Sequence, residues 1–271
     1  MRTEPPNIRD TSSPRAEHGT TAPPAPHLIG VGVDGTAAGR DAVALASILG
    51  RATGAELMLI AVYEEPLLEG VVPAELGWRS VRHQARTMLA QTRDSLAPEA
   101  RIILQVNGLA WRGLLDVVRR ERRDLLVVGS ARQAEYGQAT LGDSAAELLS
   151  HLECPLAIAP RGMQNDRGAR LERIGVAFDA SPASDAALAL ARSLALAASA
   201  EVRLRRVTDT TPRGPTEALH GLCAEVDLLV LGADPTPSRA RTPLAHATRK
   251  LLNDAPTPIL IAPRSAHAPA V

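Results

Sequence analysis

The sequence predicts an α/β protein made of two doubly wound parallel-sheet domains, the second shorter than the first. The chain repeats itself: residues 124–130 (DLLVVGS) return as 227–233 (DLLVLGA), and 154–161 (CPLAIAPR) return as 257–264 (TPILIAPR). Both pairs share one offset, 103 residues (from 124 to 227). An earlier segment, 29–34, returns as 174–179 at an offset of 145 residues, so the second copy lacks 42 residues in its middle. Such fixed spacing predicts a tandem of one complete and one shortened domain.

The first copy alternates apolar runs with stretches of helical spacing. Strands are predicted at 28–34, 56–62, 101–106, 124–129 and 155–160, and helices at 38–52, 74–96, 110–122 and 144–152. This alternation requires parallel strands joined by right-handed crossovers. The fourth strand is apolar at every position, which is typical of strands covered by helices on both faces.

The second copy predicts strands at 174–179, 201–207, 227–232 and 258–262, with helices at 182–198, 215–225 and 244–253. Ser181 and Pro182 form a typical helix start. The missing residues correspond to the third strand and the helix before it. Their loss is tolerable only if that strand lies at a sheet edge, which predicts the strand order 3-2-1-4-5 in the first domain.

The predicted domains are 27–162 and 171–265, joined by a linker at 163–170. Residues 1–26 contain six prolines and no apolar core of a signal peptide, so they predict a disordered tail. Residues 266–271 form a short C-terminal tail. No uninterrupted apolar stretch is long enough to span a bilayer, and we therefore expect a cytoplasmic protein.

The bulk composition excludes several kinds of partner. Thirty basic residues balance thirty acidic ones, which removes the electrostatic footprint of a nucleic-acid or membrane-surface protein. Aromatic residues make up 2% of the chain, too few for a stacking platform. Two cysteines in non-equivalent places do not predict a disulfide framework.

The two closing strands, 155–160 and 258–262, would be exposed apolar edges in the predicted order. Pairing them antiparallel across a pseudo-twofold axis would bury both. We therefore expect the two domains to pack as a pseudo-dimer. Further self-association into a homodimer stays open.

The strand order also predicts where a ligand binds. Strands one and four are neighbours whose helices go to opposite faces, so a crevice opens between their carboxyl ends. Asp34, Gly35 and Thr36 follow the first of these strands, and Gly129 and Ser130 follow the other.

With these residues the first copy resembles the universal stress protein family over almost its full length. Nucleotide-binding members carry an Asp at the end of strand one. After strand four they show Gly, two residues, Gly, nine residues, then Gly-Ser or Gly-Thr. Here the frame is Gly129, two residues, Arg132, nine residues, then Gly142-Asp143-Ser144. The spacing is that of the family, and two identities differ.

The resemblance implies that Asp34 and Val62 face adenine, that Gly129 admits the ribose and phosphates, and that the segment from Gly142 onward cradles phosphate. It implies ATP as the ligand, with Mg²⁺ if phosphates are bound. The predicted site consists of residues from both strand ends and the following loop: Gly32, Val33, Asp34, Val62, Val128, Gly129, Arg132, Gly142, Asp143 and Ser144.

The start of the helix at 144–152 is a natural phosphate seat, because it presents unpaired N–H groups and a partial positive charge. Glycines before it permit close backbone approach and positive φ. Asp143 opposes phosphate by like charge, and Ser144 with Glu147 forms a capping-box pattern that satisfies the helix without a ligand. Arg132 favours phosphate instead.

The second copy keeps Asp179 and Gly232 but carries Pro235 in place of the second glycine and Ala245-His246 at the end of the frame. Proline has no N–H to donate and a fixed φ. We therefore predict no nucleotide in the second domain.

Three other patterns are weaker. Residues 30–35 spell GxGxxG and Glu64 ends strand two, but a dinucleotide site needs its glycines after the strand, and the second copy has alanine at 177 and 180. Residues 142–146 lack the last glycine of a hydrolase elbow. Two His-x-x-Cys pairs, at 151–154 and 220–223, lack further ligands. We predict no catalytic residue and no metal site.

The leading hypothesis is a tandem protein that binds ATP or another adenine nucleotide in its first domain and regulates a stress response. The alternative is a nucleotide-free interaction or dimerisation module in which both sites have decayed. Slow ATP hydrolysis comes third, because no residue is identified as a base that would position water.

Overall fold

The computed structural model of the chain describes residues 24–64, 74–166, 168–208, 211, 214–232 and 243–263. Most of the predicted N-terminal tail, the C-terminal tail and residues 233–242 of the second motif frame lie outside these ranges. For residues 74–78 and 243–246 only the helical assignment is described.

In the part of the chain that the structure describes, strands and helices alternate within each half, as the sequence predicts. The first half contains β1 (Leu28–Gly32), α1 (Ala37–Thr53), β2 (Glu56–Tyr63), α2 (Ala74–Leu96), β3 (Arg101–Val106), α3 (Ala110–Arg120), β4 (Leu125–Gly129), α4 (Asp143–His151) and β5 (Leu156–Ala159). After a 3₁₀ turn (Met163–Asn165), the second half contains β6 (Arg173–Phe178), α5 (Pro182–Ala198), β7 (Glu201–Arg206), α6 (Pro215–Cys223), β8 (Leu228–Gly232), α7 (Pro243–Leu251) and β9 (Ile259–Ala262).

All nine strands form one sheet in the order β3-β2-β1-β4-β5-β9-β8-β6-β7. The α/β class and the predicted order 3-2-1-4-5 of the first half are confirmed. Strands within each half are parallel, and the halves join through β5 and β9, which run antiparallel with Leu156 opposite Ile261 and Ile158 opposite Ile259. Every residue of both joining strands is buried.

Helices cover both faces of the sheet. On one face α1 and α5 lie over a single apolar cluster that crosses the seam and includes Leu45, Val127, Leu194 and Val230. On the other face α3 and α4 cover the first half, and α6 and α7 cover the second. None of the helices described is both long and apolar enough to traverse a bilayer.

The aspartates that begin the repeated segment hold the starts of the central strands. Asp124 Oδ2 accepts hydrogen bonds from the backbone N–H groups of His27 (2.9 Å) and Leu28 (3.0 Å). Asp227 Oδ2 accepts the equivalent bonds in the second half, from the N–H groups of Glu172 and Arg173. The repeated Asp is therefore explained by strand pairing and not by a ligand.

The connection between the halves is fixed to α1 by a buried carboxylate. Asp41 is 0% exposed, and its two oxygens accept the backbone N–H groups of Gly162 and Gln164, each at 2.9 Å. Two backbone donors satisfy a carboxylate that would otherwise be costly to bury. The chain thus leaves the first half along a defined path.

Candidate functional site

A cavity of about 360 Å³ opens at the carboxyl ends of β1, β2 and β4, where the sequence places a crevice. All ten residues of the predicted nucleotide site line it: Gly32, Val33, Asp34, Val62, Val128, Gly129, Arg132, Gly142, Asp143 and Ser144. The first turn of α1, the start of α3 and the first turns of α4 complete the wall with residues that the motif did not indicate, among them Ala38, Gly39, Ala110, Leu114, Ala145 and Leu148.

One end of the cavity is apolar and tightly built. Val33 is 3% exposed and its N–H donates to Ile60 O of β2 at 2.9 Å. A Cβ on Gly32 would lie 3.2 Å from Leu114 Cδ1, and a Cβ on Gly113 would lie 2.6 Å from Val62 Cγ1. The glycines at 32 and 113 therefore let β1 and α3 approach their neighbours closely, and the apolar side chains around them form the floor of the cavity.

Asp34 stands exposed at the rim of this floor. Its Oδ1 accepts hydrogen bonds from Thr36 N (3.0 Å) and Thr36 Oγ1 (2.6 Å). The carboxylate is therefore held in place through one oxygen, and the other has no hydrogen-bond partner among the described residues.

The same carboxylate organises the start of α1. Thr36 is the N-cap and its Oγ1 accepts from Gly39 N (3.4 Å). In the second half Asp179 Oδ1 accepts from Ser181 N (3.0 Å), and Ser181 caps α5. An Asp after the first strand thus has a local structural role in both halves, in addition to any role in binding.

Gly129 is required by packing. A Cβ at this position would collide with the carbonyl oxygen of Ala38 and lie 2.8 Å from its Cβ. Gly232 stands in the same relation to Ala183. The sequence-based interpretation assigned Gly129 to ribose and phosphate approach, but β4 and β8 need a glycine here for the helix to cross the strand end, with or without a ligand.

The start of α4 differs from the predicted one. The helix begins at Asp143, with Gly142 as N-cap at φ −91° and ψ 169°, and no described side chain caps it. The prediction of a capping box formed by Ser144 and Glu147 is wrong, because Ser144 lies inside the first turn of the helix and is not its N-cap. Gly142 does not use the positive φ that glycine permits, since the loop reaches the helix in an extended conformation. The first-turn N–H groups are consequently left for solvent or an anion.

The charged groups around this helix start are exposed. Arg132 supplies a guanidinium, while Asp34 and Asp143 supply carboxylates. Asp143 also interacts favourably with the helix dipole. An anionic ligand at the N-terminus of α4 therefore meets attraction from Arg132 and repulsion from Asp143, which lies in the first turn of that helix.

A buried serine shapes the loop between β4 and α4. Ser130 is 6% exposed, and its Oγ lies 2.7 Å from Ala159 O, 3.0 Å from Gln138 O and 3.1 Å from Thr140 N. It links the end of β5 with both arms of the loop. The motif frame treats this position as a spacer, and only its place directly after an apolar strand could have indicated its burial.

The second half holds this loop from outside. Ala139 N donates to Ala255 O and Leu141 N to Leu252 O, each at 2.7 Å, and Thr140 Oγ1 donates to Asn253 O at 2.8 Å. These acceptors belong to the connection between α7 and β9. Three hydrogen bonds thus fix the segment just before Gly142.

Other chemistry has little support among the described residues. They contain no group of three or more His, Cys, Asp and Glu side chains that could hold a metal ion. Burial raises the pKa of Cys154 and of Cys223 to about 12, so neither is an activated nucleophile. His151 ends α4, and Cys154 lies beyond the helix, so these two do not share a helical face as a metal pair would. Gly30 and Gly32 lie inside β1 and do not open a helix.

Comparison with known proteins matches residues 27–160 to the family described as "Universal stress protein family". No curated protein sequence matches the chain significantly.

Several solved structures resemble the whole chain at low sequence identity. A universal stress protein from Archaeoglobus fulgidus is 14% identical over 89% of this chain and 97% of its own, with a TM-score of 0.64. A protein from Pseudomonas aeruginosa UCBPP-PA14, named as a candidate member of the same family, is 13% identical over 88% and 94%, with a TM-score of 0.60. A functionally unknown protein from Pseudomonas aeruginosa PAO1 is 12% identical over 89% and 93%, with a TM-score of 0.56. These likenesses concern the fold.

Proposed function

We propose, since the chain belongs to the universal stress protein family through residues 27–160, that it binds ATP or another adenine nucleotide in the cavity between β1 and β4. The observation that carries this proposal is that the ten predicted site residues, which come from separate segments of the sequence, line the wall of one cavity. In this role the protein would act as a nucleotide-dependent regulator of the stress response.

The base would lie on the apolar floor. Gly32, Val33 and Val62 offer a surface without side-chain charge, and Asp34 Oδ2 offers an acceptor at its rim. An adenine amino group is a donor and an adenine ring is apolar on its faces. The floor and the acceptor together suit adenine.

The phosphates would lie at the start of α4. Here the first-turn N–H groups lack a side-chain cap, and Arg132 supplies a charge of the right sign. Asp143 lowers the affinity by repulsion, so we expect weak binding. Mg²⁺ would accompany the phosphates, because in nucleotide sites it is commonly held by phosphate oxygens, one or two carboxylates and several waters.

The two halves would form a pseudo-dimer with unequal roles. Residues 27–162 would be the binding domain, and residues 171–265 would hold its loop through the three hydrogen bonds from Ala139, Thr140 and Leu141. We propose that the second half binds no nucleotide. Its frame, with Pro235 and Ala245-His246, lies outside the residues whose side chains the structure describes.

A second function is favoured by one specific observation. Asp143 occupies the first turn of α4, where a carboxylate stabilises the helix and takes the place of an anion. If no nucleotide enters, the chain is an interaction module that has kept the fold and lost the ligand. Catalysis is not part of either proposal.

Titration with ATP and Mg²⁺ up to about 5 mM by calorimetry separates these functions, since weak nucleotide sites bind in the micromolar to millimolar range. Ser144→Glu adds a negative charge in the exposed first turn of α4 and should abolish binding. Ser80→Glu, exposed on α2, is the matched control and should bind like the unmodified chain. No heat of binding in the unmodified chain at this concentration would support the interaction module instead.

A further inference from the structure

The second half of the sheet exposes an apolar surface next to its edge, whereas the equivalent surface of the first half is covered by a helix. In β2, Leu59 pairs with Val31 of the central strand and is 0% exposed beneath α2. In β7, Leu204 pairs with Val176 in the same register and is 50% exposed. No described helix stands between β7 and α6, where α2 and β3 follow β2 in the first half. The shortened copy therefore leaves apolar sheet surface open.

One stripe of α5 continues this surface. Leu188, Arg192 and Leu196 follow each other at four-residue spacing on one side of the helix, and Leu196 is 85% exposed. Two of their counterparts on α1 are covered in the first half: Val43 is 0% exposed, and Ser47 Oγ lies 3.5 Å from Leu96 O at the end of α2. The counterpart of Leu196 is Arg51, which is exposed. Leu188 and Arg192 thus border the place that a helix fills in the first half, and Leu196 extends the stripe beyond it.

We call the four apolar residues Leu188, Leu196, Val202 and Leu204 the α5–β7 face. Two exposed cations flank it, Arg192 on α5 and Arg206 on β7. Neither forms an ion pair with a described residue. Arg203 and Arg205, on the opposite side of the strand, are paired with glutamates. The cations beside the apolar face are therefore available to an acidic partner.

We propose that the α5–β7 face binds an amphipathic helix with acidic flanks, supplied by a partner protein, in the position that α2 holds in the first half. The leucines would meet the apolar side of this helix, as in helix-in-groove recognition. The acidic flanks would pair with Arg192 and Arg206. A second copy of the chain is a poorer occupant, because it would bring four arginines together.

The test uses two fluorescein-labelled 18-residue peptides with identical leucine spacing, one carrying glutamate and the other lysine at all polar positions. Fluorescence anisotropy with the full chain should give a Kd of about 10–100 μM for the glutamate peptide and at least about tenfold weaker binding for the lysine peptide. Leu204→Ser should weaken the glutamate peptide by about tenfold. Val106→Ser, at a 41% exposed site on the other edge strand, is the control and should change nothing.

Charge reversal gives a second readout. In a chain with Arg192→Glu and Arg206→Glu the preference should invert, with the lysine peptide binding more tightly. Three results would overturn the proposal: equal binding of both peptides, binding of neither peptide at about 1 mM, or an unchanged affinity in Leu204→Ser.

Two further results would identify a different occupant. A dimer in sedimentation that Leu204→Ser converts to a monomer identifies a second copy of the chain as the occupant. Binding that appears only after removal of residues 1–23 identifies the chain's own N-terminal segment. Either result also overturns the proposal.

Discussion

Gly129 lies so close to Ala38 that a Cβ on residue 129 would collide with the Ala38 carbonyl oxygen, and Gly232 meets Ala183 in the same way. The two contacts occupy equivalent places in the two halves. They show that the glycine at the end of β4 is a requirement of the fold, since the second half keeps it at the end of β8, where we propose that no nucleotide binds.

Alanine at either glycine should therefore destabilise the protein. We expect Gly129→Ala and Gly232→Ala each to lower the free energy of unfolding by about 2–4 kcal/mol, because a backbone atom and not a mobile side chain occupies the space. Urea denaturation followed by circular dichroism measures this. Gly108→Ala, with no atom within 4 Å of the added Cβ, is the control. A Gly232→Ala chain as stable as the control would contradict the packing requirement.

The turn after the first strand of each half is strained in the second half only. Ala180 has φ 61°, whereas its counterpart Gly35 has φ 80° and the freedom to adopt it. We expect Ala180→Gly to raise the free energy of unfolding by about 0.5–1 kcal/mol. The substitution removes the strain of a left-handed alanine, and this gain is partly offset because glycine has more conformational entropy in the unfolded chain. Gly35→Ala should lower it, since its Cβ would also lie 3.2 Å from Met88 Cγ. Thermal melts of both chains test the pair, and a loss of stability in Ala180→Gly would refute the strain.

The repeat made most of the fold predictable. A fixed offset of 103 residues joined two strand segments, and the shorter copy identified β3 as the dispensable edge, which the sheet order confirms. Strand and helix positions followed from apolar runs and spacing, with boundaries shifted by one or two residues. These signals are local, and the core is built from the same pattern twice.

The site was less accessible to sequence because its details depend on contacts between distant segments. The start of α4 was misplaced, since the cap is decided by the path of the loop and not by the Ser144-to-Glu147 spacing. The role of Ser130 and the bonds from Ala139 and Thr140 to the second half have no signature in the motif. The motif spacing identified the residues that line the cavity, but it did not identify the hydrogen bonds that hold the loop in position.

The hydrogen bond from Thr140 to the second half should matter for both stability and binding. Thr140→Val removes the donor that reaches Asn253 O, and we expect the free energy of unfolding to fall by about 1 kcal/mol and ATP affinity to fall about threefold. Thr53→Val is the control, because Thr53 Oγ1 bonds Leu49 O within α1, away from the cavity. Equal effects of the two substitutions on ATP affinity would show that the second half does not position the loop.

Both thiols should be unreactive in the folded chain. Burial raises the pKa of Cys154 and Cys223 to about 12, so each stays protonated near pH 8. Ellman's reagent at pH 8 should react fully only after denaturation. Because the folded pKa is the higher one, the thiols contribute stability below pH about 9 that is lost as pH rises toward 12. A chain with Cys154→Ala and Cys223→Ala should show a shallower alkaline loss, and rapid native labelling would contradict the burial.

Removing the carboxylate from the start of α4 should strengthen nucleotide binding. We expect Asp143→Ser to raise ATP affinity about fivefold. The substitution removes a solvent-screened repulsion between the carboxylate and phosphate that costs about 1 kcal/mol of binding free energy. Asp185→Ser, an exposed acidic residue in the first turn of α5, is the matched control and should leave affinity unchanged. Weaker binding in Asp143→Ser would mean that this carboxylate helps to hold the ligand or its metal.

Native mass spectrometry of the freshly purified chain tests the central claim most directly, because it counts bound nucleotides on each molecule. One adenine nucleotide per chain, present in the unmodified protein at purification or after incubation with millimolar ATP and Mg²⁺ and lost in Ser144→Glu, is the result expected for a site in the first half held by the second. Two nucleotides per chain, or none even after incubation with millimolar ATP and Mg²⁺, would contradict it.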